Sequence, residues 1–313
     1  MASQHKIWAD GKLVPWDEAT VHVTAHALHY GSSIFEGIRA YGTARGLAVL
    51  GLRQHTRRFF RSAKMFRMKL PYSEEEISRA ILQTLRANDH PSAYIRPLAI
   101  RGEGPLGVDG RHNPINVYIM TLEWGTYLGE EALERGVDVM VSSWRRMAPD
   151  THPAMGKIGG NYVNSQFIVM EAREAGYAEG IALDIHGYIS EGSGENLFLV
   201  LENKIYTPPL ASSILTGITR RFVLQLIEDH GYELHEQTIP REMLYVADEL
   251  FFTGTAAEVT PIRSVDGIKI GCGARGPITE TLQSDFFSIV KGHSEDRHGW
   301  LTYVEEPEVV AAG

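Results

Sequence analysis

Lys157 stands in a setting that suits chemistry by a nucleophilic amine. The segment Met155-Gly-Lys157-Ile-Gly-Gly-Asn-Tyr162 places this lysine among small residues, directly before a predicted helix. An amine that such a site shields from water has a lowered pKa and is a better nucleophile. Because lysines beside glycines are more often plain surface residues, the assignment depends on partner groups elsewhere in the chain.

Three later segments supply such groups. Ser190-Glu191-Gly-Ser-Gly-Glu195 interrupts a predicted strand with two carboxylates that suit a protonated ring nitrogen, and its glycines let a flat ligand approach the backbone. Leu215-Thr-Gly-Ile-Thr219 leads into a predicted helix whose free N–H groups suit a phosphate. Thr253-Gly-Thr-Ala-Ala-Glu258 is a small turn that suits a carboxylate or phosphate.

Each segment also has a purely structural explanation. The acidic segment is then a bulge with solvated carboxylates, and Thr216 or Thr219 merely caps the helix. Taken together, however, an amine, a ring-nitrogen partner, a phosphate-binding helix start and an anion-binding turn are what pyridoxal phosphate requires. The combination therefore predicts a site for this cofactor.

Two other motifs resemble ligand sites but favour plainer explanations. Gly102-Glu-Gly-Pro-Leu-Gly107 matches the dinucleotide pattern G-x-G-x-x-G, which works only where a helix starts at the glycines. Pro105 and the glycines and prolines that follow indicate a flexible loop instead. His26 and His29 are spaced to share a metal, but no third ligand accompanies them, so hydrogen-bonding or core histidines and no metal are expected.

The elements that must position these groups are readable from the pattern. A hairpin is predicted around Asp10-Gly11, and a helix is predicted to begin at Ser73, which forms a capping box with Glu76. A strand over 94–100 contains Pro97, which predicts a sheet edge or a bulge. A long Gly/Pro-rich loop, 101–114, precedes the next strand over 116–122.

The second half mixes strands and helices. Strands are predicted over 137–143, over 250–252 and in a hairpin around His186-Gly187, and helices over 162–175 and 218–230. We expect an α/β (α+β) fold of two domains with a cleft between them. The small N-terminal α/β domain covers residues 1–122, a connector covers 123–134, and the large C-terminal cofactor-binding domain covers 135–313.

Composition excludes several classes of protein. The chain has 313 residues, 43% of them hydrophobic and 22% charged, which is ordinary for a globular protein. Its net charge of -9 argues against nucleic-acid binding, and no apolar run has the length of a membrane helix or a signal peptide. The lone Cys272 excludes a disulfide framework and fits a reducing, cytoplasmic compartment.

The chain resembles the branched-chain amino acid aminotransferases of the fold-type IV pyridoxal-phosphate enzymes. Segments in the expected order over nearly the whole chain carry the resemblance: 26–31 (HALHYG), 35–39 (FEGIR), 93–97 (AYIRP), 157–162 (KIGGNY), 191–196 (EGSGEN), 215–219 (LTGIT) and 254–257 (GTAA). The composition of 107–114 departs from the expected pattern, which leaves the substrate range less defined.

The resemblance implies a role for each matched residue. Lys157 is the catalytic lysine, which bonds to the cofactor and moves the proton between the substrate Cα and the cofactor C4′. Glu191 keeps the ring nitrogen protonated, and Tyr162 hydrogen-bonds the phenolic oxygen. The phosphate is implied to be bound by Arg58, in preference to the adjacent Arg57, and by Leu215, Gly217, Ile218, Thr219 and Thr255.

The resemblance also implies a substrate pocket that serves two kinds of amino acid. The N–H groups of Thr255 and Ala256, with Ala257, hold the α-carboxylate, and an apolar pocket takes leucine, isoleucine or valine. The γ-carboxylate of glutamate enters the same space beside Arg96. The pocket residues are Tyr30, Phe35, Gly37, Tyr94, Arg96, Trp124 and Tyr127, with Leu106 and Val108 covering the pocket of a neighbouring subunit.

The expected reaction is a ping-pong transamination between branched-chain L-amino acids and 2-oxoglutarate. The partners are amino acids and 2-oxo acids, and the assembly is at least a homodimer, with a hexamer built from three dimers as the larger alternative. Within the same fold, a D-amino acid or (R)-amine transaminase or an aminodeoxychorismate lyase stays open. Outside it, a nicotinamide-dependent oxidoreductase that uses the 102–107 glycines and a non-catalytic binding protein are the alternatives.

Overall fold

The computed structural model describes residues 5–123 and 130–305. The helices in chain order are α1 (His26–Tyr30), α2 (Leu52–Met65), α3 (Glu74–Asn88), α4 (Glu130–Arg135), α5 (Tyr162–Glu174), α6 (Ile218–Asp229), α7 (Met243–Val246) and α8 (Pro277–Val290). The strands are β1 (Lys6–Ala9), β2 (Lys12–Pro15), β3 (Ser33–Phe35), β4 (Ile38–Thr43), β5 (Gly46–Leu50), β6 (Ala93–Arg101), β7 (Ile115–Leu122), β8 (Val137–Val141), β9 (Glu179–Leu183), β10 (Ile189–Gly192), β11 (Asn196–Leu201), β12 (Lys204–Thr207), β13 (Leu234–Glu236), β14 (Glu249–Gly254), β15 (Glu258–Val265), β16 (Ile268–Lys269) and β17 (Leu301–Tyr303).

The described chain divides into two compact units. The first contains the residues up to 123 and those from 287 to 305, and the second contains residues 130–286. The predicted second domain instead ran to the C-terminus. The division differs because β17 pairs with β5, which returns the end of the chain to the sheet of the first unit.

The sheet of the first unit has the order β17-β5-β4-β6-β7-β1-β2, with β3 also paired to β6. The predicted edge position for Pro97 is wrong, because β6 lies inside the sheet and pairs with β7 from Tyr94 to Arg101. On the other side, β4 pairs with 93–95 and β3 with 98–100, so Pro97 lies opposite the break between these two strands. The proline is tolerated there because the ladder is interrupted beside it.

The sheet of the second unit has the order β10-β9-β8-β15-β14-β11-β12-β13, with β16 paired to β15. Strand β8 is parallel to both its neighbours, whereas β14 is antiparallel to β11 and β15. A mixed sheet of this kind is covered by helices and is buried on much of its surface. Its core includes Val139, Ile181, Leu197, Leu199, Leu250, Phe252 and Ile262.

Most of the predicted elements are confirmed. The hairpin around Asp10-Gly11 pairs Ile7 with Val14, and both sides of the Ser73–Glu76 capping box are formed. Helix α5 ends just before Gly176, whose positive φ of 86° favours glycine. Every helix within residues 5–123 and 130–305 is too short or too polar to traverse a lipid bilayer.

Candidate active site

The Lys157 side chain lies beside the first residue of α5. Its Nζ atom donates a hydrogen bond to the hydroxyl of Tyr162 at 2.5 Å, and the amine also lies over the Tyr162 ring. The preceding loop is held by Asn161, whose side-chain amide donates to the carbonyls of Pro153 and Gly156. This loop therefore presents Lys157 at a defined place, half-buried rather than free in solvent.

Glu191 is a buried carboxylate on β10, at the register shift in the pairing of that strand with β9. Its Oε1 atom pairs with Nη2 of Arg146 at 2.8 Å, and its Oε2 atom accepts from the Leu215 N–H at 2.9 Å. Burial raises the pKa of Glu191, and the positive charges of Arg146 and Lys157 partly offset that rise. Lys157 is therefore near enough to Glu191 for its charge to act on this carboxyl.

The start of α6 adjoins this carboxylate through Leu215. Gly217 is the N-cap residue, and among the residues described no side chain caps the helix. Neither Thr216 nor Thr219 therefore occupies the predicted N-cap position. The first turn of this 12-residue helix carries N–H groups that have no partner within the helix, and Ile218 and Thr219 are buried there.

The predicted turn at 253–258 is confirmed as the connection between β14 and β15. Gly254 pairs with Glu258 across the hairpin, so residues 255–257 form its tip. Thr253 lies opposite Asn196 in the sheet, and a Cβ atom built on Gly254 would lie 3.5 Å from Cγ of Glu195. The turn thus adjoins the acidic segment that carries Glu191.

These residues of the second unit fit pyridoxal phosphate. The donor set offers an amine for the aldehyde, a phenol, a buried carboxylate for the ring nitrogen and an uncapped helix start for the phosphate. Within this unit, Lys157 contacts Tyr162, and Glu191 contacts Leu215, which shortly precedes Gly217, Ile218 and Thr219. Thr255, Ala256 and Ala257 form the tip of the turn that adjoins Glu195.

The sequence-based analysis missed two groups that hold Glu191. Arg146 lies in a stretch with no motif, and only its buried ion pair distinguishes it from its exposed neighbour Arg145. Asn196 belongs to the quoted acidic segment but had no assigned role, although its amide donates to Glu191 Oε2 at 3.0 Å. The signal available in the sequence was that Asn196 shares a short segment with two carboxylates, Glu191 and Glu195.

Glu195 is a second buried acid of the same segment. Burial and the nearby charge of Glu179 raise the pKa of the Glu195 carboxyl well above its ordinary value, although the Gly194 N–H donates to it at 3.0 Å. Burial likewise raises the pKa of Glu179. Burial therefore disfavours the charged form of both carboxyls, and the negative charge of Glu179 adds to this effect at Glu195.

Arg58 belongs to the first unit and is buried on α2, whereas Arg57 is exposed. Its Nε and Nη2 atoms each donate to Glu36 at 2.7 Å, and His55 contacts the same carboxylate at 2.8 Å. Burial alone would raise the pKa of Glu36, but Arg58 and His55 outweigh it and lower that pKa to about 2. Arg58 is therefore held rigidly by a buried ion pair.

Four predicted pocket residues form one cluster in the first unit. The Arg96 guanidinium lies 4.6 Å from the centre of the Phe35 ring and donates to the Tyr94 hydroxyl at 2.5 Å. A side chain at Gly37 would collide with that hydroxyl, which explains the glycine. The buried Nε atom of Arg96 has no hydrogen-bond partner in the described part of the chain.

Helix α1 holds the Gly-rich loop. The Tyr30 hydroxyl donates to the carbonyl of Leu106 at 2.9 Å, and Nε2 of His26 bonds the carbonyl of Gly107 at 2.8 Å. The loop leaves Leu106 51% and Val108 83% exposed. Trp124 and Tyr127, the remaining predicted pocket residues, lie outside the described residues.

The predicted loop at 102–107 and the predicted hydrogen bonds of the two histidines are confirmed. No helix starts at the 102–107 glycines, which are followed by a 3-10 turn at Gly110–His112. His26 and His29 make hydrogen bonds, His29 to the carbonyl of Val23 at 2.9 Å. Within residues 5–123 and 130–305, no three metal-ligating side chains come together.

A family model, a relative in sequence and two solved structures that resemble this chain are all aminotransferases. The family model for class IV amino-transferases matches residues 33–265. A branched-chain-amino-acid aminotransferase from Escherichia coli K12 is 50% identical over 305 residues, covering 96% of this chain and 97% of its own. The crystal structure of an Escherichia coli branched-chain amino acid aminotransferase aligns with a TM-score of 0.94 at 49% identity, covering 96% of this chain and 99% of the other. A branched-chain amino acid aminotransferase from Thermobaculum terrenum, solved in its PLP-bound holo-form, aligns with a TM-score of 0.91 at 34% identity, covering 98% and 100%.

Proposed function

Because the chain belongs to the class IV aminotransferases, which are pyridoxal-phosphate enzymes, we propose that it exchanges amino groups between branched-chain L-amino acids and 2-oxoglutarate. The observation that carries the proposal is the cluster of the Lys157 amine, the Tyr162 hydroxyl and the buried Glu191 carboxylate. The reaction takes place in two half-reactions, in which one 2-oxo acid leaves before the second enters.

Each residue of the cluster has a distinct task. Pyridoxal phosphate, when bound, supplies an electrophilic aldehyde carbon and a ring that withdraws electrons. Lys157 would provide the amine that holds that carbon. Once the substrate amino group displaces it, the freed Lys157 amine would act as the base that takes the proton from the substrate Cα. Tyr162 orients the amine through their hydrogen bond. Glu191 would keep a proton at the ring nitrogen, and the first turn of α6 would hold the phosphate.

The substrate side chain is assigned to the cluster around Arg96. Phe35 offers an apolar surface for leucine, isoleucine or valine. The Nε donor of Arg96, which has no hydrogen-bond partner among the described residues, offers a partner for the γ-carboxylate of glutamate. The α-carboxylate is assigned to the N–H groups of Thr255 and Ala256 at the β14–β15 turn. The cluster around Arg96 then accepts both apolar and acidic side chains.

Borohydride reduction tests the assignment of the lysine. Reduction of the holoenzyme fixes the cofactor to the amine that holds it, and peptide mass mapping locates the label. We expect the label on Lys157, and a Lys157→Ala variant should lose both the label and turnover. A label on another lysine, or none, contradicts the proposal.

A substrate panel tests the reaction. L-leucine, D-alanine and (R)-1-phenylethylamine are each supplied with 2-oxoglutarate, and the initial rates are compared. We expect L-leucine to react fastest by a wide margin. Preference for either other donor, or a response to NAD in place of 2-oxoglutarate, overturns the proposal in favour of another activity.

Arg96→Met tests the dual pocket. Removing the guanidinium deprives only the acidic substrate of its partner, so kcat/KM for L-glutamate should fall about tenfold or more while that for L-leucine falls much less. The matched control is Arg39→Met, which removes a buried arginine of the same sheet. Equal losses for both substrates in Arg96→Met contradict the assignment.

A homodimer is proposed from the exposed loop residues. Leu106 and Val108 are apolar side chains that α1 holds out toward solvent, as expected if they cover the pocket of a second copy. Light scattering after size exclusion should give a multiple of the 34.9 kDa chain, a dimer or a hexamer of three dimers. A monomer at micromolar concentration contradicts this assembly.

The reaction is placed in the cytoplasm. The single cysteine, Cys272, supports this because a protein of a reducing compartment needs no disulfide framework. Fractionation of the native cells should recover the activity with cytoplasmic marker enzymes, and recovery with the periplasm or membranes contradicts the placement.

A further inference from the structure

Asn196 bridges two parts of the candidate site. This buried residue begins β11, and its Nδ2 atom donates to Oε2 of Glu191 and to the carbonyl of Leu215, each at 3.0 Å. The Leu215 N–H donates to the same Oε2 at 2.9 Å. Asn196, Glu191 and Leu215 therefore form a closed ring of hydrogen bonds within the second unit.

We propose that Asn196 is a positioning residue that aims Glu191 at the cofactor ring nitrogen and ties this carboxylate to the phosphate-binding start of α6. The proposal rests on the assignment of Glu191 and α6 in the proposed function. It adds a residue that touches neither the ring nor the phosphate but sets the geometry of the groups that do.

The hydrogen-bonding capacity of the carboxylate supports this role. A carboxylate oxygen accepts about two hydrogen bonds, and Oε2 already has two donors, Asn196 and the Leu215 N–H. Among the residues that the structure describes, Oε1 has one donor, Nη2 of Arg146. The free position therefore lies on Oε1, and the ring nitrogen is expected to donate there beside Arg146.

The orientation of the amide is determined by its partners. Both groups that face Nδ2 are acceptors, a carboxylate and a carbonyl, so only the amide nitrogen satisfies them. The other end of the amide, Oδ1, occupies the space that a Cβ atom at Gly217 would need. Asn196 thus contacts the N-cap of α6 as well as the residue that precedes it.

Cofactor analogues separate this role from a general loss of structure. The full-length enzyme, stripped of cofactor, is titrated with pyridoxal phosphate and with 1-deazapyridoxal phosphate, which carries C–H in place of the ring nitrogen. Asn196→Asp keeps the size of the side chain but presents an acceptor to Glu191. We expect this substitution to weaken the binding of pyridoxal phosphate about tenfold or more, and the binding of the deaza analogue much less.

Two further variants complete the experiment. Asn196→Ala removes the donor without adding charge. It should also weaken pyridoxal phosphate more than the deaza analogue, by a smaller factor, and it provides the test if Asn196→Asp fails to fold. Thr207→Val is the matched control, because Thr207 is a buried residue of the neighbouring strand whose hydroxyl bonds only the Leu197 carbonyl among the contacts observed. It should lower thermal stability while leaving the ratio of the two affinities unchanged.

The outcomes distinguish the two levels of inference. If the wild type binds both cofactors with equal affinity, Glu191 does not interact with the ring nitrogen and the proposed function loses its support. If the wild type prefers pyridoxal phosphate and both Asn196 variants lose the same factor of affinity for the two cofactors, only the positioning role is overturned. A selective loss for pyridoxal phosphate in either Asn196 variant supports the proposal.

Discussion

The hydroxyl of Tyr162 accepts a hydrogen bond from the amine of Lys157, and the two residues are separated by one 3-10 turn, Gly159–Asn161. This turn lets a loop residue and a helix residue share one contact. A lysine that must both bond to an aldehyde and move a proton needs its nitrogen held in one place. The contact with Tyr162 provides that restraint.

Tyr162→Phe should lower kcat by roughly 10- to 100-fold, because the amine loses the group that orients it. The cofactor should remain bound, since Lys157, Glu191 and α6 are unchanged. Steady-state kinetics with L-leucine and 2-oxoglutarate measure the effect. Tyr188→Phe, at an exposed tyrosine of the same unit, is the control; a Tyr162→Phe enzyme as fast as this control would remove Tyr162 from the mechanism.

Gly37→Ala should disturb the predicted substrate pocket by pushing the Tyr94 hydroxyl away from Arg96. The new methyl group would collide with that hydroxyl and crowd the ring behind it. We expect a higher KM for L-leucine and partial rescue by Tyr94→Phe in the double variant, because the oxygen in the way is gone. Kinetics of the two single variants and the double variant test this, and strictly additive losses would show that the two residues do not interact.

Glu36→Gln should destabilise the enzyme in a pH-dependent way. The Glu36 carboxyl titrates at about pH 2 in the folded chain against an ordinary value of 4.5. The stability that the ionised Glu36 carboxylate gives the folded chain is therefore fully present above pH 4.5 and is lost as the pH falls toward 2. This shift corresponds to roughly 3 kcal/mol of stability for a carboxylate that is fully buried.

Urea unfolding of the Glu36→Gln variant and the wild type at pH 5 and pH 3 measures this loss. The difference in unfolding free energy should shrink by about 2 kcal/mol toward pH 3, because only the wild type loses the ionised carboxylate. Glu103→Gln, at an exposed acid of the same unit, should match the wild type at both values. A constant gap for Glu36→Gln would contradict the lowered pKa.

Glu249→Gln should weaken the start of α8. The Glu249 carboxylate accepts from the N–H groups of Ile278 and Thr279 and from the Thr279 hydroxyl, at 3.0, 2.7 and 2.6 Å. An amide in its place turns one acceptor into a donor and removes the charge that favours a helix N-terminus, at a cost of about 1–3 kcal/mol.

Thermal unfolding monitored by circular dichroism tests this prediction. Glu280→Gln is the matched control, since Glu280 lies in the first turn of the same helix but is exposed. It should change stability by less than about 0.5 kcal/mol. Equal effects of the two substitutions would show that the buried cap contributes nothing beyond a surface charge.

The amino-acid sequence alone determined the local elements and the identity of the chemical groups. The Asp10-Gly11 hairpin, the Ser73 capping box and the end of α5 before Gly176 depend on neighbouring residues, so short patterns predict them. The candidate amine, carboxylate and helix start were likewise recognisable because each belongs to a short contiguous segment whose glycines and hydroxyls carry the signal.

Only the tertiary structure decided which distant groups meet. The partners of Glu191 come from Arg146, Asn196 and Leu215, which approach it through sheet pairing and loop packing that spacing along the chain does not encode. Local patterns likewise did not predict that Pro97 lies inside a sheet, opposite the break between β3 and β4. Nor did they predict that β17 pairs with β5 in the first unit. Contacts over long sequence separations depend on packing the whole chain, and for that reason local patterns predicted the groups but not their geometry.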